Sequence, residues 1–389
     1  MLKPGLRRVW RDRSTLQFGL DPERAMVLTG VDRSVTAVLE SLDGTRDRDA
    51  VLDSALEAGL DGQTTQRLLD VLAESGLLDD AARDTTAIRD LPADERERLA
   101  PDLLALSLLA HSGDGGLALL ERRRQLTVEV RGGGRVGAAL ACMLGAAGVG
   151  HVLVEDATIT THADRAPAGP GRHDVGASRA EAVCRTLRRV STTVRSSPGP
   201  VGVPPDLVVL APDAPDLAPD DALVRAGQPH LVARVRETTG VVGPLVVPGS
   251  TACLRCLDLV RADRDPAWPV VAAQLATPRG PYACDGVLAT VVAGLAAMQA
   301  LAFLDGGRPV LALDGTLELG LFDGCLRRRS WLPHPSCGCG WPDAVLRQVP
   351  RARGGDGRRS TGSRATGAQA STSSAPDTPD DPPHVTMGA

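Results

Sequence analysis

The sequence predicts an α/β chain in which a nucleotide-type fold, built around a glycine loop, follows a small α+β unit. Three observations predict it. Gly132-Gly133-Gly134-Arg135-Val136-Gly137 stands between an alternating strand and an apolar helix, three short strands and three amphipathic helices fill the first 80 residues, and four cysteines form two close pairs. With 389 residues, 43% hydrophobic and 23% charged, the chain has material for more than one core. Aromatic residues are 2% of it, too few for the stacked platforms that grip single-stranded nucleic acid, and a net charge of −5 draws in no phosphate backbone. No nucleic-acid partner is expected.

Strands are expected at Leu6–Trp10, Thr15–Gly19 and Ala25–Leu28, separated by the turn-prone Asp12–Ser14 and Asp21–Glu23. Helices follow at Ser34–Leu42, Ala50–Ala58 and Gln66–Ser75. Their N-caps are Asp32, Asp47, and Asp61 or Thr64, and Gly44, Gly59 and Gly76 stop them. Leucines and valines at helical spacing give this unit its own core. The order is that of a winged helix, a fold that often binds DNA, but residues 1–80 carry ten basic against fifteen acidic side chains. That is the wrong sign for DNA. Residues 81–101 are polar and charged, a linker or exposed helix, and 349–389 are so poor in apolar residues that a disordered tail is expected. The intervening residues 102–348 form the main domain.

Leu126–Val130 alternates as a strand, Val136–Ala147 is a helix stopped by Gly148, and His151–Glu155 is the next strand. In that setting Gly132 permits the tight turn, Gly134 lets backbone N–H groups approach a phosphate, and Gly137 lets helix and sheet pack closely. Asp156, 19 residues beyond Gly137, is placed to accept from ribose hydroxyls. The same glycines would also serve packing alone. This is a Rossmann-like arrangement on either reading.

Two uncharged stretches approach membrane length, Val136–Val154 and Gly286–Leu304. The first has a strand-helix-strand rhythm and the second suits a helix buried in a large core, so no membrane span is expected. Nor is there an apolar run behind Lys3, Arg7 and Arg8 to make a secretory signal. A cytoplasmic location keeps thiols reduced. There, Cys253 and Cys256 (C-x-x-C) with Cys337 and Cys339 (C-x-C), 81 residues on, suit a closed tetrahedral Zn²⁺ site. The alternative is four ordinary reduced cysteines. Cys142, Cys184 and Cys325 read as core or surface thiols. Cys284, ahead of the buried helix, is a structural thiol or a nucleophile. His334 either supports the metal or marks a turn between prolines, and His230 is expected to end a strand.

Residues 1–80, with Leu2-Lys3-Pro4-Gly5-Leu6 and Leu39-Glu40-Ser41-Leu42-Asp43-Gly44-Thr45, resemble the PqqD-like domains that capture leader peptides by adding a strand to a sheet edge. Val130–Asp156, Asp174–Ala182, Pro205–Asp213 and Cys284–Leu288 resemble, in that order, the ThiF/MoeB ubiquitin-activating-like superfamily. That resemblance implies a homodimer using ATP and Mg²⁺ to adenylate the C-terminal carboxylate of a peptide or small carrier protein. It assigns Asp156 to the ribose, Asp213 to the metal–phosphate group and Arg179 to the position of the usual phosphate-contacting lysine. Where the family has Asn and Arg after the second strand, this chain has Asp164 and Pro167, with Arg165 out of register. The shorter second cysteine pair, after Pro333-His334-Pro335, resembles the azoline-forming cyclodehydratase branch.

Two functions are therefore expected in turn. The first is a ThiF-like component of a peptide-modifying cyclodehydratase system, binding leader peptide and zinc and working with an ATP-using YcaO-type partner. The second is an adenylyltransferase in its own right, using Gly132, Gly134, Gly137 and Asp156 for the nucleotide and Arg179 and Asp213 for the chemistry. A plain NAD-binding oxidoreductase shares the loop but has no need of paired cysteines.

Overall fold

The structure, a computed structural model, describes residues 1–82, 86–109, 113–197, 203–213, 221–275 and 282–340; the tail expected at 349–389 lies outside the described residues. At the N-terminus β1 (Arg8–Trp10), β2 (Thr15–Phe18) and β3 (Met26–Thr29) form an antiparallel sheet in that order. Three helices cover it: α1 (Arg33–Ser41), α2 (Arg48–Glu57) and α3 (Gly62–Glu74). Each starts where an aspartate accepts from a first-turn N–H, Asp32 from Val35, Asp47 from Ala50 and Asp61 from Thr64. Leu16, Phe18, Val38, Leu39, Leu69 and Leu72 make the buried core of this unit.

The stretch offered as linker or exposed helix is helical from Ala93, with most of its residues up to Pro101 exposed. After α4 (Thr86–Arg89), α5 (Ala93–Leu109) is a 17-residue helix containing Pro101. Leu99 and Leu106, seven residues apart, share one face and bury against Leu120 of α6 (Leu117–Gln125), which orders the segment by packing. Buried Lys3, the chain's single lysine, donates to the Ser107 carbonyl, and Ser107 Oγ donates to Asp79 at 2.5 Å. These bonds tie the N-terminal unit to α5.

The main sheet then unfolds along the chain as β4 (Thr127–Arg131), α7 (Arg135–Ala146), β5 (His151–Glu155), α8 (Arg179–Val190), β6 (Leu207–Leu210), α9 (Asp221–Arg225), β7 (His230–Arg236) and β8 (Thr239–Val246). Next come α10 (Leu254–Arg264), α11 (Trp268–Leu275), α12 (Gly286–Asp305), β9 (Gly315–Gly320) and β10 (Leu326–Ser330). Strand order is β10-β9-β8-β7-β6-β4-β5. From β5 to β7 neighbours run parallel and from β7 to β10 antiparallel. His230 begins β7 rather than ending a strand: fully buried, it bonds through Nδ1 to the Gln228 carbonyl just before the strand.

α7 and α12 cover the parallel strands through small residues such as Ala138, Ala139, Ala293 and Ala296. By length and composition α12 could cross a membrane. Here one side of it is buried in the main core, and its end is fixed by the Arg123 fork on Asp305 at 2.8 and 2.7 Å. Buried Gln299 accepts from Ala312 N–H at 3.0 Å, which satisfies the one amide in that apolar helix.

Candidate functional site

β4 lies between β5 and β6, so the chain leaves β4 first to one side and then crosses to the other. Such a reversal opens a crevice at the carboxyl ends of the strands, where doubly wound folds place their ligands. All the expected loop residues stand there. Gly132, Gly133 and Gly134 follow β4, Asp156 follows β5, and Asp213 lies three residues beyond β6. The chain needs glycine for steric reasons: Gly132 has φ +111°, and a Cβ at Gly137 would strike the Gly132 carbonyl. A Cβ at Gly134 would strike the Asp213 carboxylate, which therefore lies directly on the loop.

Arg179, the first residue of α8, gathers these carboxylates. Nη1 donates to Asp213 Oδ2 at 2.5 Å and to Asp156 Oδ2 at 3.2 Å, and Nη2 donates to Asp164 Oδ1 at 2.9 Å. Asp156 is held in turn by Gly133 N–H at 2.7 Å and by the Thr158 N–H and hydroxyl at 2.8 and 2.6 Å. Burial works against charge throughout this cluster. It opposes the Arg179 cation, yet the three carboxylates lift that pKa above its ordinary value. Burial also opposes the Asp156 anion, but the Thr158, Gly133 and Arg179 contacts hold it below the usual carboxylate range. At Asp213 burial prevails and pushes the carboxyl up, Arg179 pulls it back, and like charge on Asp164 and Asp156 adds to the rise.

One cation against three carboxylates leaves the cluster at −2. Both terminal nitrogens of Arg179 and the Gly133 N–H are engaged, Arg179 Nε is buried without a partner, and the face of Gly134 is covered by Asp213. Among the described residues the aspartates do not form a group able to hold a metal ion. In this arrangement ATP and Mg²⁺ do not fit without displacing Asp213. Asp164, which stands where the family has an asparagine, is 95% buried and also caps Thr161 through Oδ2 at 2.7 and 2.8 Å. It was read from sequence only as a departure, and its role as an Arg179 partner carries no local signal. Arg135 was missed too: it bridges the Ala163 carbonyl at 2.6 Å and the Cys284 carbonyl at 2.7 Å. Cys284 is half-buried, and burial raises its thiol above the ordinary range, the opposite of what an activated nucleophile needs.

The second constellation sits under the antiparallel half. Cys253 caps α10, Cys256 lies in its first turn, and Cys337 and Cys339 arrive after β10. All four sulfurs lie within 4.8 Å of one another. Three of the separations are 3.8, 3.4 and 3.3 Å. Four sulfurs around a zinc at Zn–S of about 2.3 Å stand about 3.8 Å apart, so the quartet fits a tetrahedral ion. Hydrogen bonding from Cys253, then from the His334 N–H, pulls Cys256 down to about 4 against its burial, while burial pushes Cys339 up to about 12. A dication would stabilise the thiolates. His334 contributes by its backbone and not its ring, which pairs with Asp263 at 2.9 Å. Trp331 and Leu257 pack around the quartet.

The ThiF family matches residues 105–339. This chain belongs to the ThiF family. The match spans the glycine loop, the Arg179 cluster and all four cysteines. No curated protein sequence matches significantly. Among solved structures the chain is similar to E. coli MccB with ATP, at 16% identity and a TM-score of 0.64, covering 87% of this chain and 98% of that one. It is also similar to the microcin C7 biosynthetic enzyme MccB in complex with N-formylated MccA (17% identity, TM-score 0.64, 87% and 99% covered) and to PaaA (18%, 0.64, 85% and 99%). At these identities the likeness is one of fold. Its coverage exceeds the ThiF segment, so it reaches into the N-terminal unit.

Proposed function

We propose that this ThiF-type protein acts in peptide modification as the component that docks a leader peptide, in the cytoplasm, while an ATP-using partner of the YcaO type drives an azoline cyclodehydration. The observation that carries the reading is the Arg179 cluster. A cation already shared by three carboxylates, at net −2 beside the glycine loop, has both terminal nitrogens committed and offers a triphosphate no attractive field. The nucleotide-type fold then serves as a scaffold. β1 and β3 are both sheet edges, and either can accept an extended peptide as a further strand. The cysteine quartet would hold a structural zinc that fixes α10 to the end of the sheet, with no open position for chemistry.

One observation favours the second reading, an adenylyltransferase acting on a peptide carboxylate. The glycine loop, Asp156 and Asp213 stand at the strand ends in the same fold that MccB shows with ATP. In that case Asp213 swings off Gly134, Arg179 turns from Asp213 to the phosphates, and the backbone N–H groups of the loop become donors. Reconstitution tests the choice. The zinc-loaded chain, a leader-bearing peptide and ATP are expected to yield no modified peptide until the partner enzyme is added; product from this chain alone would transfer the assignment to the second reading.

A further inference from the structure

Where the Arg179 cluster is acidic, the other end of the same helix is the reverse. A cavity of about 610 Å³ lies at the C-terminal end of α8, lined by Arg165, Arg172 and Arg189 with Pro167, Thr186 and Val190 among its walls. Arg165 and Arg172 are exposed and have no ion-pair partner among the described residues. The nearby carboxylate that could neutralise the cavity, Asp174, is fully buried and faces inward. It accepts from Gly171 N–H at 2.7 Å and from Arg185 Nε at 2.9 Å, with His173 at 3.5 Å and Arg189 as an ion pair at 4.0 Å. Arg189 itself is steadied by Thr186 Oγ1 at 3.0 Å. The loop that lines one wall also carries Asp164, so cavity and Arg179 cluster share a support.

We propose that this cavity binds a phosphoryl oxyanion, as free pyrophosphate or as the phosphate chain of a nucleotide. Three arginines lining one cavity supply more donors than a single carboxylate can take and match a ligand with several oxygens on each phosphorus. The walls leave room for more than one phosphoryl group. The site is independent of whether the glycine loop is active.

Calorimetric titration of the full zinc-loaded chain with sodium pyrophosphate, ATP and succinate, at physiological salt, tests this. Pyrophosphate is expected to bind, succinate to bind at least about ten-fold more weakly, and Arg165→Gln/Arg172→Gln to weaken pyrophosphate at least about ten-fold. Because those two arginines lack partners in the fold, the melting temperature of the double variant stays at the wild-type value. Asp213→Asn, which alters the Arg179 cluster, leaves pyrophosphate affinity unchanged. Loss of pyrophosphate alone in the double variant identifies a free oxyanion as the ligand, and loss of ATP as well identifies the nucleotide's phosphates. Absence of pyrophosphate binding to the wild type, equal binding of succinate, unaltered affinity in the double variant, or affinity that follows Asp213→Asn would each overturn the assignment.

Discussion

In the cysteine quartet, four like ligands converge within 4.8 Å; around Arg179, four groups of mixed sign already satisfy one another through contacts of 2.5 to 3.2 Å. The first arrangement could hold a cation, because four sulfurs converge with only one another as partners for most of their contacts. The second carries its own cation, a side chain whose two terminal nitrogens reach all three carboxylates and whose buried Nε is left without a partner. A ligand site is thus recognised by what its residues lack. By that criterion the cysteine cluster calls for a partner and the glycine-loop cluster has to give one up before it can take another.

Attacking the cysteines should give the largest effect. Chelation, or Cys256→Ser, is expected to remove one zinc per chain by elemental analysis. The accompanying loss is at least about 4 kcal/mol of stability, a melting-temperature fall of roughly 5 °C. A chain that carries no zinc as purified would contradict the reading. Arg179→Ala comes next, since it leaves three carboxylates facing one another in a largely buried site. Urea unfolding should show a loss of about 3 kcal/mol, and Arg179→Lys should recover only part of it, because one ammonium cannot reach three carboxylates as a planar fork does. A fully stable Arg179→Ala protein would mean that the cluster is not held by its arginine.

The acid limb of stability sharpens the same contrast. Burial alone would raise Glu95, Asp156 and Asp174, but it is outweighed: by Arg98 and the Thr192 N–H at Glu95, by Thr158 and Gly133 at Asp156, and by Gly171 and Arg185 at Asp174. A carboxylate whose folded pKa is lowered adds stability that is fully present above its ordinary pKa and is lost as pH falls through the lowered value. Melting temperatures should therefore be flat from pH 7 to about 5 and drop steeply below about 4, with a shallower drop in Asp174→Asn. Stability rising toward acid would refute these directions.

Smaller effects bear on the peptide. Proline at exposed Arg8 of β1 or at exposed Val27 of β3 removes an N–H that faces the open edge. On the edge that takes the leader it should weaken peptide binding about ten-fold by fluorescence anisotropy. Unaltered binding in both would remove the edge-docking proposal. Asp164→Asn is expected to cost about 2 kcal/mol by urea unfolding, because the amide keeps the cap on Thr161 only by turning its NH₂ toward the Arg179 Nη2 donor.

Much of this was legible from local chemistry. Asp32, Asp47 and Asp61 announced three helices because capping is settled within one turn, and C-x-x-C with C-x-C announced the quartet because each pair is set by its own short backbone. The glycine loop was legible for the same reason. What escaped depends on residues distant in sequence. That Asp164 faces Arg179, that Arg135 reaches the Cys284 carbonyl, and that Leu99 and Leu106 turn a polar stretch into the packed helix α5 are all decided by tertiary contact. His230 opens β7 instead of ending a strand, since pairing with β6 begins at His230 itself.

ATP–pyrophosphate exchange by the isolated, zinc-loaded chain with leader-bearing peptide and Mg²⁺ bears most directly on the central claim, that the nucleotide-type site is closed on its own ion pairs. The prediction is exchange no faster than that of an Asp213→Ala/Arg179→Ala control. Robust exchange, abolished in that control, would show the cluster opening to ATP and would make this protein the adenylating enzyme itself.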